Sequence, residues 1–294
     1  MASESNANFK LENLFNVKGK VALITGGGSG IGLMATQALA TNGAKVYITG
    51  RTEEKLTQVA SLYSRNIPGE IIPLVSDITS KESISKLVTD LSSREAHLDI
   101  LINNAGISSS TDDTSPNSAS ELKSTLFDDA TPFSEWEDTY RTNVMQFYFT
   151  TTAFLPLLQK AAEKEKGWSG TVLNITSISG IVKVSQHHFA YNASKAAAIH
   201  LTKMLAHEVA ESGLRIRVNN IAPGVFPSEM TAGESDEGQK SSLEKSKYEG
   251  KVPADRPGKD EDMASAVLFA VTNQYLNGQT VVVDGGYVLR AGTV

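Results

Sequence analysis

The stretch Lys20-Val21-Ala22-Leu23-Ile24-Thr25-Gly26-Gly27-Gly28-Ser29-Gly30-Ile31-Gly32 decides the fold. Its first half is a short, continuous apolar run of the kind that forms a strand buried on both faces, and its second half is a glycine-rich turn. The apolar periodicity of Ile31 to Thr41 then predicts a helix, so the unit reads strand, turn, helix. Glycines let the backbone turn sharply there, and the free N–H groups at the helix start favour negative charge. The turn is therefore suited to a phosphate. Its spaced glycines Gly26, Gly30 and Gly32 follow G-x-x-x-G-x-G, not the commoner G-x-G-x-x-G fingerprint.

The same cadence recurs outward from this unit. Ala44 to Thr49, Ile71 to Ser76, Leu98 to Asn103, Thr171 to Ser177, Arg215 to Ala222 and Gln279 to Asp284 read as short buried strands separated by helical stretches, among them Trp136 to Lys164 and Tyr191 to Glu211. Near-continuous apolar strands alternating with helices predict an α/β chain: one doubly wound domain over residues 17–294, with a seven-stranded parallel sheet and helices on both faces. A polar lead, residues 1–16, precedes it. Two segments break the cadence. Ser108 to Pro132, rich in Ser, Thr and Asp, reads as an exposed loop insertion with room for one short helical turn. Ser228 to Pro253, polar and charged between a strand end and a later helix, reads as a substrate lid, with a plain surface loop as the alternative.

Composition narrows the function classes. The chain has 294 residues, 40% hydrophobic and 20% charged, with net charge -6, ordinary for a globular protein and unlike the basic surface that nucleic acid requires. No nucleic-acid partner is expected. With 0 cysteines, disulfides, thiolate nucleophiles and zinc-thiolate sites are excluded, and no metal site is expected. Met1 to Lys10 carry neither an apolar signal core nor an arginine-rich amphipathic pattern, and no apolar run is long enough to span a bilayer. A cytoplasmic protein with no membrane association is the default.

The chemistry-bearing residues lie at the predicted carboxyl ends of the strands, where ligands of open α/β sheets bind. The second strand ends in Thr49-Gly50-Arg51, with a guanidinium where an acid would meet an unphosphorylated ribose. Arg51, aided by Ser29, suits a 2'-phosphate and favours NADP(H) over NAD(H); a solvated helix-start arginine is the simpler alternative. Asn103-Asn104-Ala105-Gly106 closes the fourth strand beside the same edge. Tyr191 and Lys195 stand four apart on one helix face, where the lysine cation would lower the tyrosine's pKa and make it an acid-base catalyst. Taken alone, that spacing is one many helices carry by chance.

Together, in order, these residues resemble the short-chain dehydrogenase/reductase family, whose pattern combines T-G-x-x-x-G-x-G, N-N-A-G, a serine at a strand end and Y-x-x-x-K. The resemblance runs from about Val17 to Gly286 and includes Pro223-Gly224 and Val283-Asp284-Gly285-Gly286. It implies a Rossmann-type fold. It implies that Ser177 holds a substrate oxygen, that Tyr191 gives or takes the proton, and that Lys195 binds the nicotinamide ribose. Asn143 would hold a water linking Lys195 to solvent. Asp77 would meet the adenine, Ile31, Asn104, Ala105 and Gly106 would line the cofactor, and Val225 would contact its carboxamide. Arg141 is a marginal member of the set, and Ser228 stands where the family often has threonine. The nearest members are 3-oxoacyl-thioester reductase-like carbonyl reductases, so an NADP(H)-dependent oxidoreductase of ketones or secondary alcohols is expected, assembled as a homotetramer or homodimer through the long helices. A dinucleotide sensor, scaffold or non-redox member of the fold is the alternative, and a broken relay would mark it.

Two further features receive bland readings. His187 and His188, just before Tyr191, read as loop or interface residues. Trp136 and Phe147-Tyr148-Phe149 read as aromatics that pack helices together.

Overall fold

A computed structural model of the chain describes residues 6–128 and 132–293. Part of the polar lead, residues 1–5, and three positions of the loop insertion, residues 129–131, lie outside the described residues. Seven strands form one sheet: β1 (Val21–Thr25), β2 (Lys45–Gly50), β3 (Glu70–Val75), β4 (Ile100–Asn103), β5 (Gly170–Ile175), β6 (Ile216–Pro223) and β7 (Thr280–Val283). The order is β3-β2-β1-β4-β5-β6-β7, and every pairing is parallel. β1, β4, β5 and β6 are buried along their whole length, while the edge strands β3 and β7 are only partly covered. That is the burial the continuous apolar runs foretold.

The main helices are α1 (Gly30–Thr41), α2 (Glu53–Tyr63), α3 (Lys81–Ser92), α4 (Phe133–Tyr140), α5 (Gln146–Lys164), α6 (Phe189–Glu211) and α7 (Asp260–Thr272). They fall into two layers with separate apolar clusters. Leu33 and Leu39 of α1, Leu56 and Val59 of α2, and Met263 and Val267 of α7 pack on one face of the sheet with Ile24 and Ile48. Leu87 and Leu91 of α3, Phe154 and Leu158 of α5, and Leu205 and Val209 of α6 pack on the other with Leu23 and Leu101. Each such fully buried side chain contributes roughly 1.5–3 kcal/mol through removal from water.

Connections from β1 run outward to β3, and the chain then crosses back to lay β4 beside β1. The reversal opens a crevice at the carboxyl ends of β1 and β4, the place where such sheets bind ligands.

Several expectations are corrected. The helix expected from Trp136 to Lys164 begins at Phe133 and is interrupted by a wide π-turn at Arg141–Met145, which carries one residue more per turn than an α-helix. The lead contains a short helix, Leu11–Leu14, and the 108–132 insertion contains Ala119–Lys123 followed by a second π-turn, Ser124–Asp128. The aromatics divide: Phe147 is buried, whereas Trp136 and Tyr148 are exposed on the surface of their helices. Trp136 stacks on Tyr140 with ring centroids 6.5 Å apart. Among the described residues no helix is long and apolar enough to cross a membrane.

Candidate active site

The glycine turn is built around two constraints. Gly26 has φ +65°, a conformation that side chains with a Cβ resist, and a Cβ on Gly32 would lie 2.0 Å from the Gly26 carbonyl oxygen. The turn therefore folds directly onto the first turn of α1. Asn104 locks it from β4: its Nδ2 donates to the carbonyls of Thr25 and Gly26, each at 3.0 Å. Thr25, to which the sequence assigned no role, accepts from the backbone N–H groups of Asn104 at 2.9 Å and Ala105 at 3.1 Å. These bonds fix the two sides of the crevice against each other.

A cavity of about 540 Å³ runs along this crevice. Gly26, Ser29, Gly30 and Ile31 border it from the turn, Arg51 and Asp77 from the ends of β2 and β3, and Asn104, Ala105 and Gly106 from β4. Arg141, Tyr191, Lys195 and Ser228 close it from the far side. Asp77 is held below the usual carboxylate range, chiefly by the Thr79 hydroxyl and N–H that bond its Oδ1 at 2.7 and 2.9 Å, with the Arg51 charge adding to the effect. Arg51 is exposed and free to meet an anion.

At the opposite end Tyr191 projects from the first turns of α6, the helix whose four-residue spacing also carries Lys195. Burial raises the Tyr191 pKa, and the nearby Ser177 hydroxyl pulls it partly back. The depression by Lys195 expected from sequence is not what governs the tyrosine in this geometry. Lys195 lies 5.6 Å from the Tyr191 ring centroid and donates to the Ile175 carbonyl at 3.2 Å. Burial pushes its own pKa down to about 8, because an ammonium ion loses hydration there.

Ser177 follows β5 and caps a 3₁₀ turn, Ile178–Gly180, its Oγ accepting from the Ser179 N–H at 3.1 Å. Asn143 is fully buried at the centre of the first π-turn. Its Oδ1 accepts from the Ile107 N–H at 2.9 Å, while its Nδ2 donates to the Ile107 carbonyl at 2.9 Å and to Ser194 Oγ at 3.1 Å. A Cβ on Gly106 would stand 3.1 Å from Asn143 Oδ1, a tight approach, and 3.5 Å from Lys195 Nζ, an ordinary contact.

Three expected residues sit elsewhere. Pro223 ends β6 in the sheet, opposite Val283, and Gly224 is needed for close packing, since its Cβ would come within 2.7 Å of Asp284 Cα. Val225 lines a second cavity, with Phe226 and Val252. The turn after β6 directs it there.

Residues that sequence reasoning passed over also border the site. Glu229, just after Ser228, accepts from Lys55 Nζ at 2.5 Å and from Ser235 Oγ at 2.7 Å. Nothing in the spacing of a lone glutamate in a charged loop marks it. The start of the 108–132 insertion does not simply decorate the surface. Asp112 donates its N–H to the His187 carbonyl at 2.8 Å, and the Nδ1 atoms of His187 and His188 meet Thr114 Oγ1 at 3.1 Å and the Ser109 carbonyl at 3.1 Å. His188 in turn sets its ring edge-on to Tyr191, centroids 6.5 Å apart. Gln186 and His187 both adopt positive φ, a strained conformation for non-glycine residues; the loop contacts hold His187, and bonds to Ser179 and Tyr287 hold Gln186. Among the described residues there is no group of 3 or more side chains placed to hold a metal ion.

The family model for short chain dehydrogenases matches residues 20–239. The chain belongs to that family. A short-chain dehydrogenase/reductase of Diaporthe leptostromiformis, PhomF, is 39% identical over 97% of both chains. The rhamnolipids biosynthesis 3-oxoacyl-[acyl-carrier-protein] reductase of Pseudomonas aeruginosa is 35% identical, covering 94% of this chain and 98% of its own. The solved Pseudomonas aeruginosa RhlG/NADP active-site complex superposes with a TM-score of 0.76 at 31% identity, over 93% of this chain and 98% of that one. As a short-chain dehydrogenase, the protein is an oxidoreductase of carbonyl and alcohol groups on a Rossmann-like domain, and it acts on small molecules.

Proposed function

We propose that the protein is a cytoplasmic, NADP(H)-dependent reductase of ketones, with an acyl-chain or specialised-metabolite ketone as substrate, and that it works as a homodimer or homotetramer. The observation that carries this reading is one continuous cavity with Arg51 at one end and Tyr191 and Lys195 at the other. The fit to a dinucleotide rests on the turn: Gly26 at positive φ and Gly32 packed on the Gly26 carbonyl fold the glycine turn onto the N-terminus of α1, with Gly26 and Gly30 bordering the cavity. Gly26, Ser29, Gly30 and Ile31 would hold the pyrophosphate, Arg51 and Ser29 the 2'-phosphate, Asp77 the adenine, and Asn104, Ala105, Gly106, Arg141 and Ser228 the rest. The RhlG complex with NADP supports this choice of dinucleotide, and the 3-oxoacyl reductase relative supports an acyl-chain ketone.

When bound, NADPH supplies the hydride. Tyr191 donates its proton to the substrate oxygen, and the Ser177 hydroxyl steadies that oxygen as negative charge grows on it. Lys195 orients the nicotinamide ribose and passes protons toward Tyr191. Because the Asn143 amide is committed to Ile107 and Ser194, the water assigned to Asn143 falls to its backbone carbonyl. The residues 228–253 act as a lid over the substrate.

The dinucleotide assignment is tested by titrating Arg51→Ala with NADPH and NADH. Loss of a charge-assisted phosphate contact is expected to weaken NADPH by roughly 10- to 100-fold and leave NADH nearly unchanged. Equal affinities in wild type and variant would remove the case for NADP(H).

Activity should also follow the Lys195 titration. With its pKa near 8, the lysine is a cation below that pH and neutral above it. The kcat/KM for NADPH, which reports groups of the free enzyme, is therefore expected to fall as pH rises through about 8. A profile flat to pH 10 would contradict the role given to this lysine.

A further inference from the structure

The loop between Ser177 and Tyr191 is braced from two sides. The 108–132 insertion holds it at His187 and His188. The other brace comes from the end of the chain. A short C-terminal helix, Tyr287–Ala291, lies against the loop, and Thr293 beyond it forms an isolated antiparallel bridge with Val182. Asp284 fixes the start of that helix: its two carboxylate oxygens accept from the N–H groups of Gly286 at 2.8 Å and Val288 at 2.7 Å. Arg290 donates to the Gly250 carbonyl, which ties the same helix to the 228–253 segment.

From this helix an unbroken line of hydrogen bonds runs to Ser177. Gln186 Nε2 donates to the Tyr287 hydroxyl at 3.0 Å, and Gln186 Oε1 accepts from the Ser179 hydroxyl at 2.9 Å. The Ser179 N–H then donates to Ser177 Oγ at 3.1 Å. That last bond occupies a lone pair of the Ser177 oxygen and leaves its O–H to be donated, the polarity needed to steady a growing negative charge. The direction of the O–H therefore follows the Ser179 peptide. One side of that turn cannot move: a Cβ on Gly180 would lie 2.5 Å from Ala196 N and from the Lys195 carbonyl carbon, so the turn presses directly on α6. Gln186 holds the other side, through the Ser179 side chain. It meets both partners from φ +53°, a conformation glutamine rarely adopts.

We propose that Gln186 is a positioning residue for the reaction: it passes the fixed placement of Tyr287 through Ser179 to the Ser177 hydroxyl and so aims that hydroxyl at the substrate oxygen. The inference rests on the reading of Ser177 as the group that steadies that oxygen. It makes the C-terminal helix a support of the catalytic serine, although 110 residues of chain separate Tyr287 from Ser177.

The test is steady-state and single-turnover reduction of a panel of 3-oxoacyl thioesters and cyclic ketones by NADPH. With any probe the wild type reduces, Gln186→Ala is expected to lower kcat roughly 5- to 30-fold, less than loss of a stabilising donor itself, with KM and NADPH affinity within about twofold. Tyr287→Phe removes the outer link without touching the loop and is expected to lower kcat about 2- to 5-fold. In a Ser177→Ala background there is no hydroxyl to aim, so adding Gln186→Ala is expected to change the residual rate by less than about twofold. That silence separates positioning from general support of the loop. Unchanged kcat in either single variant, a rise in KM or NADPH Kd that accounts for the loss, or an equal loss in the Ser177→Ala background overturns the inference and leaves the reductase reading intact. A Ser177→Ala variant as fast as wild type, or a wild type that reduces no member of the panel, overturns that reading, and this one with it.

Discussion

Tyr191→Phe is expected to lower kcat for ketone reduction by roughly 10²- to 10⁴-fold, the usual contribution of a positioned proton donor, with little change in NADPH affinity. The substitution removes one oxygen. The ring remains against His188, and α6 stays seated because Ala190, Ser194 and Lys195 around it are buried. What disappears is the hydroxyl near Ser177, whose pKa burial raises and which is protonated at neutral pH. Single-turnover absorbance at the nicotinamide band separates the chemical step from binding. A variant as active as wild type would shift weight to a sensor or non-redox role for the same cavity, and loss of NADPH binding in step with kcat would make Tyr191 a binding group instead of a proton donor.

Arg217→Met is expected to cost about 3–5 kcal/mol of folding stability, the range seen when a buried, hydrogen-bonded charge is removed from its partners. Arg217 lies in β6 at 5% exposure, and burial lowers its pKa to about 10, which leaves it a cation at neutral pH. Among the described residues no carboxylate forms an ion pair with it. Its guanidinium instead donates to the carbonyls of Val271 at 2.8 Å and Leu276 at 2.9 Å, to Thr171 Oγ1 at 2.6 Å, and more weakly to the Ala270 carbonyl at 3.5 Å. Ala270 and Val271 belong to the last turn of α7, whose carbonyls have no partners within the helix and carry its negative dipole end. The cation closes that end and ties it to β5 and β6. Methionine would fill much of the volume and leave the carbonyls bare. The denaturant midpoint should fall with unchanged slope, and the melting temperature by on the order of 10 °C. Arg217→Lys, which keeps the charge and loses the fork, should fall between the two. A midpoint equal to wild type in Arg217→Met would show that water or neighbouring groups satisfy those carbonyls.

The fold was legible because its signals are redundant. All seven strands were readable as apolar runs, each displaced by no more than a residue or two at its ends, since a strand covered on both faces has no polar alternation to blur it. The glycine turn was legible in more detail, because Gly26 and Gly32 are required by backbone geometry that no other residue satisfies. Tyr191 and Lys195 share one helix, as their spacing implies, but the resemblance to the family, not the spacing, singled them out. Other positions escaped for physical reasons. The π-turn at Arg141–Met145 leaves no mark in a hydrophobic pattern, because it changes the pitch of a helix and not its composition. Glu229 and the His187–Asp112 strap depend on segments far apart in the chain meeting over the crevice, and nothing local encodes such meetings. Spacing along a helix also says nothing about desolvation, which raises the pKa of Tyr191 and lowers that of Lys195.

The widened turn around Asn143 separates two demands that usually fall on the same residues. A helix that swells by one residue and then resumes keeps the same faces toward its neighbours on either side of the swelling. Thr139 before it and Phe147 and Phe154 after it are all buried. The surplus residue is therefore invisible to the core. Its effect is local, turning Asn143 inward onto Ile107 and Ser194. Folding and chemistry are written here in different registers of one helix, and the chemistry is free to change without renegotiating the core.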